Sequence, residues 1–167
     1  MAVTNQNSTQ WDALHGSSPS TVLGPDYNGA LRVAIFEHDQ SGAGDATSDV
    51  KMVKLPPGRV RLFLPLSYAY VNWTTSSATL DLGWDAYVSL TDGSAVAADP
   101  NGLVDGLDVD AAGIFNFTAP VAAILAAGGS KLFESREGVT ILATTQDVAI
   151  VSGDDLAGFL VYSYLGS

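Results

Sequence analysis

Apolar and polar residues alternate with a period of two along much of this chain, which is the periodicity of a half-buried β-strand. In LRVAIFEH, the residues Leu31, Val33 and Ile35 fall on one face of such a strand. VKMVKL, RVRLFLPL, YAYVNW and GVTILATT continue the pattern. So does a last strand over residues 158–165, whose Val and Tyr content is typical of the centre of a sheet. Turn-forming residues separate these segments, so the pattern predicts a series of short strands.

One stretch predicts a helix. APVAAILAAGG has Pro120 at its first position and Gly128 just past its end, as is usual around a short helix. A long strand is expected over residues 78–90 with a bulge at Gly83, and Pro65 is expected to end its strand or place it at a sheet edge. About eight to ten strands and at most one short helix predict an all-β fold, an antiparallel β-sandwich that is jelly-roll-like.

The start of the chain shows neither helical nor strand periodicity and is rich in Asn, Ser, Thr, Gly and Pro. We interpret residues 1–28 as an extended N-terminal arm and residues 29–167 as a single β-sandwich domain. The arm is either a floppy tail or a segment that orders against a neighbouring subunit, and the sequence leaves both open. If the arm orders, Trp11, Leu14 and Tyr27 are its candidate interface residues.

Composition narrows the range of functions. The chain has 7 basic and 18 acidic residues and a formal net charge of −11, which argues against nucleic acid and anionic membranes as partners. Cys is absent, which excludes disulfides, thiolate catalysis and Cys–zinc sites. The chain lacks the pattern of a secretory signal, and no apolar stretch is long enough to span a bilayer, so we expect a soluble protein made in the cytoplasm.

Familiar catalytic motifs are missing from the sequence. It has no Gly-x-Ser-x-Gly elbow, and GAGDATS at 42–48 lacks the Gly-Lys-Ser/Thr ending of a phosphate-binding loop. The two histidines are His15, in the arm, and His38, which lies between Glu37 and Asp39 at a strand end. We therefore expect neither an enzyme nor a cofactor. A hydrolase would require two carboxylates that face each other across a cleft.

An acidic segment near the middle of the chain is the candidate metal site. Its carboxylate and amide oxygens are ligands that suit Ca²⁺. The segment does not match an EF-hand, because position 6 would be Val104 and position 12 would be Asp110, which is shorter than Glu. A solvated acidic loop and an irregular calcium loop both remain open. The candidate ligands are Asp99, Asn101, Asp105, Asp108 and Asp110.

Basic residues concentrate early in the predicted domain. Five of the seven lie between positions 32 and 61, whereas residues 81–110 carry seven acidic residues and no basic one. Arg59 and Arg61 share one face of a predicted strand and are candidate interface residues. In a closed ring, this basic region would meet the acidic region of the next subunit. Alternatively, the two regions pair within one chain.

The segment ATLDLGWDAYVSLTDGSAVAADPNGLVDGLDVDAAGIFNF resembles a stretch of small structural proteins of tailed bacteriophages. These proteins are often encoded beside the major capsid protein. The shared features are Leu-Asp-Leu-Gly at residues 80–83, an Asp-Gly turn, a "D-x-x-G-L-x-D-G-x-D" loop and a further strand. The loop positions are Asp99, Gly102, Leu103, Asp105, Gly106 and Asp108.

This resemblance implies a head decoration, or cement, protein. Such proteins commonly have β-sandwich or jelly-roll folds, often form trimers, and clamp neighbouring capsomers on the outside of the shell. The resemblance therefore implies a homotrimer that binds the major capsid protein, on the capsid exterior of a virion assembled in the host cytoplasm. The expected function is a non-enzymatic one, stabilisation of the mature phage shell, and the arm at residues 1–28 would order on the capsid.

A carbohydrate- or receptor-binding β-sandwich module of a phage fibre or tail is the alternative. Carbohydrate modules stack sugars on exposed aromatic side chains, so this alternative requires Trp73 or Trp84 to be exposed. For most aromatic residues in the alternating strands, we expect a position in the core or in a subunit interface.

Overall fold

The computed structural model describes residues 30–73, 75–118 and 120–166. Most of these residues belong to two β-sheets that pack face to face. Among the described residues, the helix α1 (Ala122–Ala126) lies between the eighth and ninth strands. The strands in chain order are β1 (Leu31–Asp39), β2 (Asp49–Leu55), β3 (Gly58–Asn72), β4 (Thr79–Trp84), β5 (Tyr87–Val88), β6 (Ala95–Val96), β7 (Asp99–Asp108), β8 (Gly113–Asn116), β9 (Ser130–Ser135), β10 (Val139–Thr145) and β11 (Asp155–Gly166).

The chain is folded back on itself, so that strands from its two ends become neighbours. The five-stranded sheet has the order β1-β11-β3-β8, with β9 also paired to β3, and the four-stranded sheet has the order β2-β10-β4-β7. All of these pairings are antiparallel, and the first four strands alternate between the two sheets. This winding is that of a jelly roll, so the predicted all-β, jelly-roll-like sandwich is confirmed.

Apolar side chains from both sheets fill the space between them. At one edge of this core, Phe133 of β9 contacts Trp84 of β4 edge to face, with 5.5 Å between the ring centroids. The ammonium of Lys131 lies 4.7 Å from the centroid of the Trp84 ring, so its stem covers the indole at the edge of the core. The core also includes Phe36, Leu62, Leu64, Leu80, Leu82, Ile141, Leu156 and Leu160.

β3 continues through Pro65 in the interior of the five-stranded sheet, so the expectation that Pro65 ends a strand or marks an edge is wrong. The pairing of β3 with β11 jumps from Phe63 to Tyr68, and Pro65 lies in the stretch between them, where the ladder needs no N–H from it. The side chain of Ser67 repairs this gap. Its Oγ accepts a hydrogen bond from the Val161 N–H at 2.9 Å and donates one to the Phe63 carbonyl at 2.7 Å.

Two other expectations need correction. The strand expected over residues 78–90 ends at Trp84, and Tyr87–Val88 instead forms a hairpin with β6. The acidic segment expected to be a loop forms most of β7, which pairs with β4. The irregularity expected at Gly83 is present in that pairing, although the additional residues belong to β7.

The helix predicted between Pro120 and Gly128 is confirmed as α1. Residues 1–29 lie outside the described part of the chain, so the extended arm and the single domain over residues 29–167 stay predictions. Among the described residues, no helix is long and apolar enough to cross a membrane.

We expect Ser67→Ala to lower the free energy of unfolding by about 1–3 kcal/mol, because the buried Val161 N–H loses its acceptor. Ser163→Ala is the matched control. Ser163 is an equally buried serine of the same sheet, but its Oγ has no hydrogen-bond partner, so its removal is expected to be nearly neutral. Urea denaturation of both variants measures the difference, and equal losses would show that Ser67 does not bridge the two strands.

Candidate functional site

The outward side of the five-stranded sheet is the candidate functional site, and we call it the outer face. The strand register places its residues in rows: Ile35 of β1 lies opposite Phe159 of β11, which lies opposite Tyr68 of β3. Since side chains alternate between the two sides of a sheet, every second residue of each strand belongs to this face. Its apolar members include Leu31, Val33, Ile35, Phe63, Tyr68, Tyr70, Ile114, Leu132 and Phe159.

Several apolar members of the outer face are exposed. Ile35 is 80% exposed and Ile114 is 76% exposed. Among the described residues, the exposed large apolar side chains all belong to this face, except Leu66 and Leu125. Ile35 and Ile114 lie on β1 and β8, whereas Val161 of the central strand β11, which is opposite Val33, is 7% exposed. Groups of exposed apolar side chains mark interaction surfaces.

Charged side chains border the outer face at its two ends. Arg59 and Arg61 of β3 lie at one end, whereas Glu37, Asp39 and Asp155 lie at the other. Asp39 and Asp155 are directly opposite each other on β1 and β11. Like charges in this position destabilise a sheet, so the acidic end would gain from a basic partner.

Two ion pairs are seen between residues that the structure describes. Arg59 Nε lies 2.7 Å from Glu134 Oε1, across the pairing of β3 with β9. Lys51 Nζ lies 3.7 Å from Asp85 Oδ2. The pair of Lys51 with Asp85 joins the basic region to the acidic region of the same chain, one of the two arrangements that the sequence left open, whereas Glu134 lies outside the acidic region. The role of Arg59 and Arg61 at a subunit interface stays a prediction.

A shallow cleft of about 310 Å³ lies at the acidic end of the outer face. In it, His38 Nε2 is 2.9 Å from Gln40 Oε1. Asp39 and Asp155 face each other there, as a hydrolase would require, but Asp39 is exposed. The apolar enclosure that gives two carboxylates different roles in catalysis is therefore missing around this pair. The lining residues are Glu37, His38, Asp39, Tyr70, Asp155 and Ala157.

A second open cleft, of about 380 Å³, lies beside the β5–β6 hairpin. Its lining includes Lys54, Asp85, Tyr87 and Glu137. Burial, followed by the negative charge of Glu134, raises the pKa of Tyr87 above its usual value of 10.0. Tyr87 therefore stays a neutral hydrogen-bonding group at physiological pH, and the cleft offers a polar surface rather than an activated nucleophile.

The residues that carry the phage resemblance come together where β4 meets β7. Asp81 is fully buried, and its Oδ1 accepts a hydrogen bond from the Gly106 N–H at 2.7 Å. Its Oδ2 accepts a hydrogen bond from the side-chain amide of Gln146. Gly106 has a φ of +67° and lies in a bulge of β7 between the partners of Leu80 and Leu82. The buried carboxylate thus holds the bulge in place.

Two other glycines of the same motifs are required by close packing. A Cβ on Gly83 would overlap the backbone carbonyl of Asp99, and a Cβ on Gly102 would overlap the indole ring of Trp84. Together with Asp81 and Gly106, these residues show that the motifs hold β7 in position against β4.

The five candidate calcium ligands lie on a strand and not on the expected loop. Asp99 pairs with Trp84 and Asp108 pairs with Thr79, so the two acids are about 16 Å apart along β4. Within the described ranges, no three or more acidic or histidine side chains are grouped so that they could hold a metal ion. Asp99, Asn101, Asp105 and Asp108 belong to β7, and Asp110 lies just beyond it.

Trp73 and Trp84 lie in the core, as expected for most aromatic residues of the alternating strands. Trp73 and Trp84 are 3% and 7% exposed, so the exposed Trp required by the carbohydrate-binding alternative is not found at either position. Tyr68 and Tyr70 are the exposed aromatic residues on the outer face. The remaining candidates at the start of the chain lie outside the described residues: Trp11, Leu14, His15 and Tyr27.

Hydrogen bonds within a turn stabilise the carboxylate of Asp92. The Ser94 backbone N–H donates to the Asp92 carboxylate at 3.0 Å, and the Ser94 hydroxyl donates at 2.8 Å. These bonds, with the backbone bond contributing most, lower the pKa of Asp92 to about 2. Because this pKa is lowered in the folded chain, the turn gains stability above pH 3.8 and loses it as the pH falls toward 2.

The chain matches no family model and no curated protein sequence. Solved structures do match it. A chain from the capsid asymmetric unit of cyanophage Pam1 aligns over 98% of this chain and 99% of its own length, with a TM-score of 0.52 and 14% identity.

Two further structures align with lower scores. A chain from the acidic stable capsid of Helicobacter pylori bacteriophage KHP30 aligns over 82% of this chain and 90% of its own, with a TM-score of 0.41 and 12% identity. A chain of the Gt strain of infectious bursal disease virus aligns over 83% of this chain and 34% of its own, with a TM-score of 0.44 and 9% identity. Of these three, the Pam1 chain alone exceeds a TM-score of 0.5, and at its identity the likeness shows a shared fold.

Sequence reasoning placed Leu31, Val33 and Ile35 on one face of β1 but did not recognise that this face points outward. A signal was available, because Phe36 occupies the opposite face of the same strand and is buried. Large apolar residues on both faces of a strand indicate that both faces are meant to be covered. That signal would have marked β1 as a strand with large apolar residues on both of its faces.

We expect Asp81→Ala to lower the free energy of unfolding by about 2–3 kcal/mol, because the Gly106 N–H and the Gln146 amide lose a charged acceptor. Asp105→Ala removes an exposed carboxylate of the same motif and is expected to change stability by less than about 0.5 kcal/mol. Urea denaturation of the two variants measures both values. If both variants kept the wild-type stability, the structural explanation of the motif would be wrong.

Proposed function

We propose that this chain is a non-enzymatic structural protein of a phage virion. In its specific form, the proposal is that the chain binds the outside of the capsid as a homotrimer, contacts the major capsid protein and stabilises the mature shell. The observation that carries the proposal is the alignment with the Pam1 capsid chain, which extends over nearly the full length of both chains.

The distribution of surface chemistry supports an assembly role. Most exposed large apolar side chains of the described residues lie on the outer face, whereas the two clefts are open. A flat apolar face suits contact with another protein surface, since small-molecule sites are concave and enclosed. The net charge of −11 would limit nonspecific contact with packaged nucleic acid.

Shell stabilisation follows from binding linkage. A protein that binds the mature lattice but not its dissociated subunits lowers the free energy of the lattice by RT ln(1 + [L]/Kd) at each site. A homotrimer contacts the lattice at several points, which raises its avidity without any single tight contact. This function needs a binding surface that every copy of the chain presents, and it does not need a catalytic pocket.

The test is to mix the purified chain with capsids of its own phage that lack it. We expect added density on the outer surface of the shell by cryo-electron microscopy, and a higher temperature for release of packaged DNA in a dye-access assay. A chain lacking residues 1–28, first checked for β-sheet content by circular dichroism, assigns the contact to the arm or to the sandwich.

Matched protein that carries Leu125→Lys, on the exposed side of α1, serves as a control for nonspecific effects of surface charge. The function is rejected if the wild-type chain adds no density and leaves the release temperature unchanged over the same concentrations.

The alternative is a carbohydrate- or receptor-binding module of a phage fibre or tail. Tyr68 and Tyr70 favour it, because two exposed aromatic rings on a flat sheet face are able to stack on sugars. Binding of host surface glycans by the wild-type chain, with loss of binding in Tyr70→Ala and no uptake by capsids, would favour this alternative.

A further inference from the structure

We propose that β1 of one copy of this chain pairs edge to edge with β1 of a second copy. The two strands run antiparallel, with the two Val33 residues opposite each other at a two-fold axis. This contact goes beyond the proposed function, because a two-fold contact does not close a three-fold ring and would join one trimer to the next. It rests on the proposed function only for the expectation that many copies of the chain meet.

The free edge of β1 is the first observation. Among the described residues, β1 lies at the end of the five-stranded sheet and pairs with β11 alone. All nine of its residues pair in register, from Leu31 opposite Ser163 to Asp39 opposite Asp155, without a bulge. The other side of a straight edge strand presents a row of backbone N–H and C=O groups, which a further strand is able to complete.

Exposed apolar side chains line this edge. Leu31, Val33 and Ile35 are 55%, 57% and 80% exposed, whereas Val161, the neighbour of Val33 on β11, is 7% exposed. A strand beside the free edge would place cross-strand neighbours next to Ile35 and lower its exposure. The apolar surface that needs cover is therefore a strip along β1, and a further strand would cover it.

Natural sheets block their open edges with proline, lysine or bulges, and β1 has few of these features. From Leu31 to Phe36 it has no proline, and its one charged residue there is Arg32. The Cζ atom of Arg32 lies 5.2 Å from the ring centroid of Tyr164, which belongs to β11. The guanidinium thus leans over the neighbouring strand of the same chain, away from the free edge.

The other edge strands in the described part of the chain are less open to a further strand. β2 carries the exposed Lys51 and Lys54, and β7 carries the exposed Asp105 and Asp108 and pairs irregularly with β4. β8 has four residues, and β9 includes Lys131. β1 is therefore the edge at which strand addition meets the least charge, and the β1 strand of another copy is an equally open partner.

The sequence of β1 matches itself in one register. Residues that face each other in an antiparallel pair point to the same side of the joined sheet. With Val33 at the two-fold axis, Leu31 lies opposite Ile35, so each exposed apolar residue faces another apolar residue. Moving the axis by one residue places either Arg32 opposite Arg32 or Leu31 opposite Glu37, and both arrangements lose apolar contacts.

This register also keeps the acidic residues of two copies apart. Each copy has a net charge of −11, so a contact between copies has to avoid bringing acids together. With Val33 at the axis, Glu37 of one copy lies opposite position 29 of the other. The two Glu37 residues are then eight positions apart along the strands, or about 27 Å, which exceeds the Debye length of about 8 Å at physiological ionic strength.

The main test is disulfide cross-linking, because the chain has no cysteine of its own. We expect Val33→Cys to form covalent dimers under mild oxidation, since directly opposed residues have Cα atoms about 4.5–5.5 Å apart, within reach of a disulfide. Ile35→Cys is the matched control. Ile35 is more exposed than Val33, but its two copies would be about 14 Å apart, so few covalent dimers are expected.

Electrophoresis without reductant measures the dimers, and circular dichroism of the reduced proteins verifies that both variants are folded. More dimer in Val33→Cys than in Ile35→Cys supports the inference. Equal cross-linking of the two variants, or none in Val33→Cys, overturns it.

A charge exchange at the axis is the second test. We expect Val33→Lys and Val33→Glu each to raise the dissociation constant of self-association about tenfold in sedimentation equilibrium, because like charges then face each other. An equimolar mixture of the two variants is expected to recover the wild-type association, since lysine then faces glutamate. Ile114→Lys, on β8 at the far side of the sheet, is expected to associate as the wild type does. Failure of the mixture to recover, or weakening by Ile114→Lys, would count against edge pairing.

This inference and the proposed function fail in distinguishable ways. Absence of the Val33→Cys dimer overturns the inference even if capsids take up the chain. If Val33→Lys then abolishes capsid uptake, the edge of β1 receives a strand of the capsid protein instead. Cross-linked dimers of a chain that never adds to capsids support the inference and remove the proposed function.

Discussion

Burial of apolar side chains between two β-sheets is the interaction on which the rest of this structure depends. With no cysteine in the chain, no disulfide holds the sandwich together. It is formed by contacts between residues distant in sequence, such as Phe36 with the strand that contains Gly158 and Leu160. Each fully buried Leu or Phe contributes about 1.5–3 kcal/mol, against a backbone entropy cost that local strand propensity does not offset. The pairing of β1 with β11 thereby closes the fold over nearly the whole length of the described chain.

A sandwich of this kind buries one side of each sheet, and the other side is exposed unless another part of the chain or a partner covers it. In the four-stranded sheet, the bulged strand β7 folds over the outward side of β4, where Asp81 and Gly83 are buried. The five-stranded sheet has no such cover over Ile35 and Ile114. On the same side of that sheet, Val161 and Ser163 of the central strand β11 are buried, so the exposed positions lie toward its outer strands.

The same comparison separates structural motifs from functional ones. Leu-Asp-Leu-Gly and the Asp-Gly segment carry the phage resemblance, and their acid and glycines hold β7 against β4 through a buried carboxylate and two close approaches. Function in a fold with many hosts resides in what it presents at the surface, and here the surface presents apolar side chains bordered by opposite charges. The likeness to the Pam1 chain shows a shared fold, and a fold alone does not specify a function.

Local patterns were enough to predict most strands, the short helix and the all-β class, because the period of two is a property of neighbouring residues. They also predicted a central position for the last strand, which lies between β1 and β3. Local patterns failed where a distant partner decided the outcome. Pro65 stays within β3 because Ser67 supplies a bond to Val161, and the acidic segment becomes a strand because β4 lies beside it. Alternation assigns Leu31, Val33 and Ile35 to one side of β1. Only the packing of the second sheet against the opposite side determines that this side faces outward.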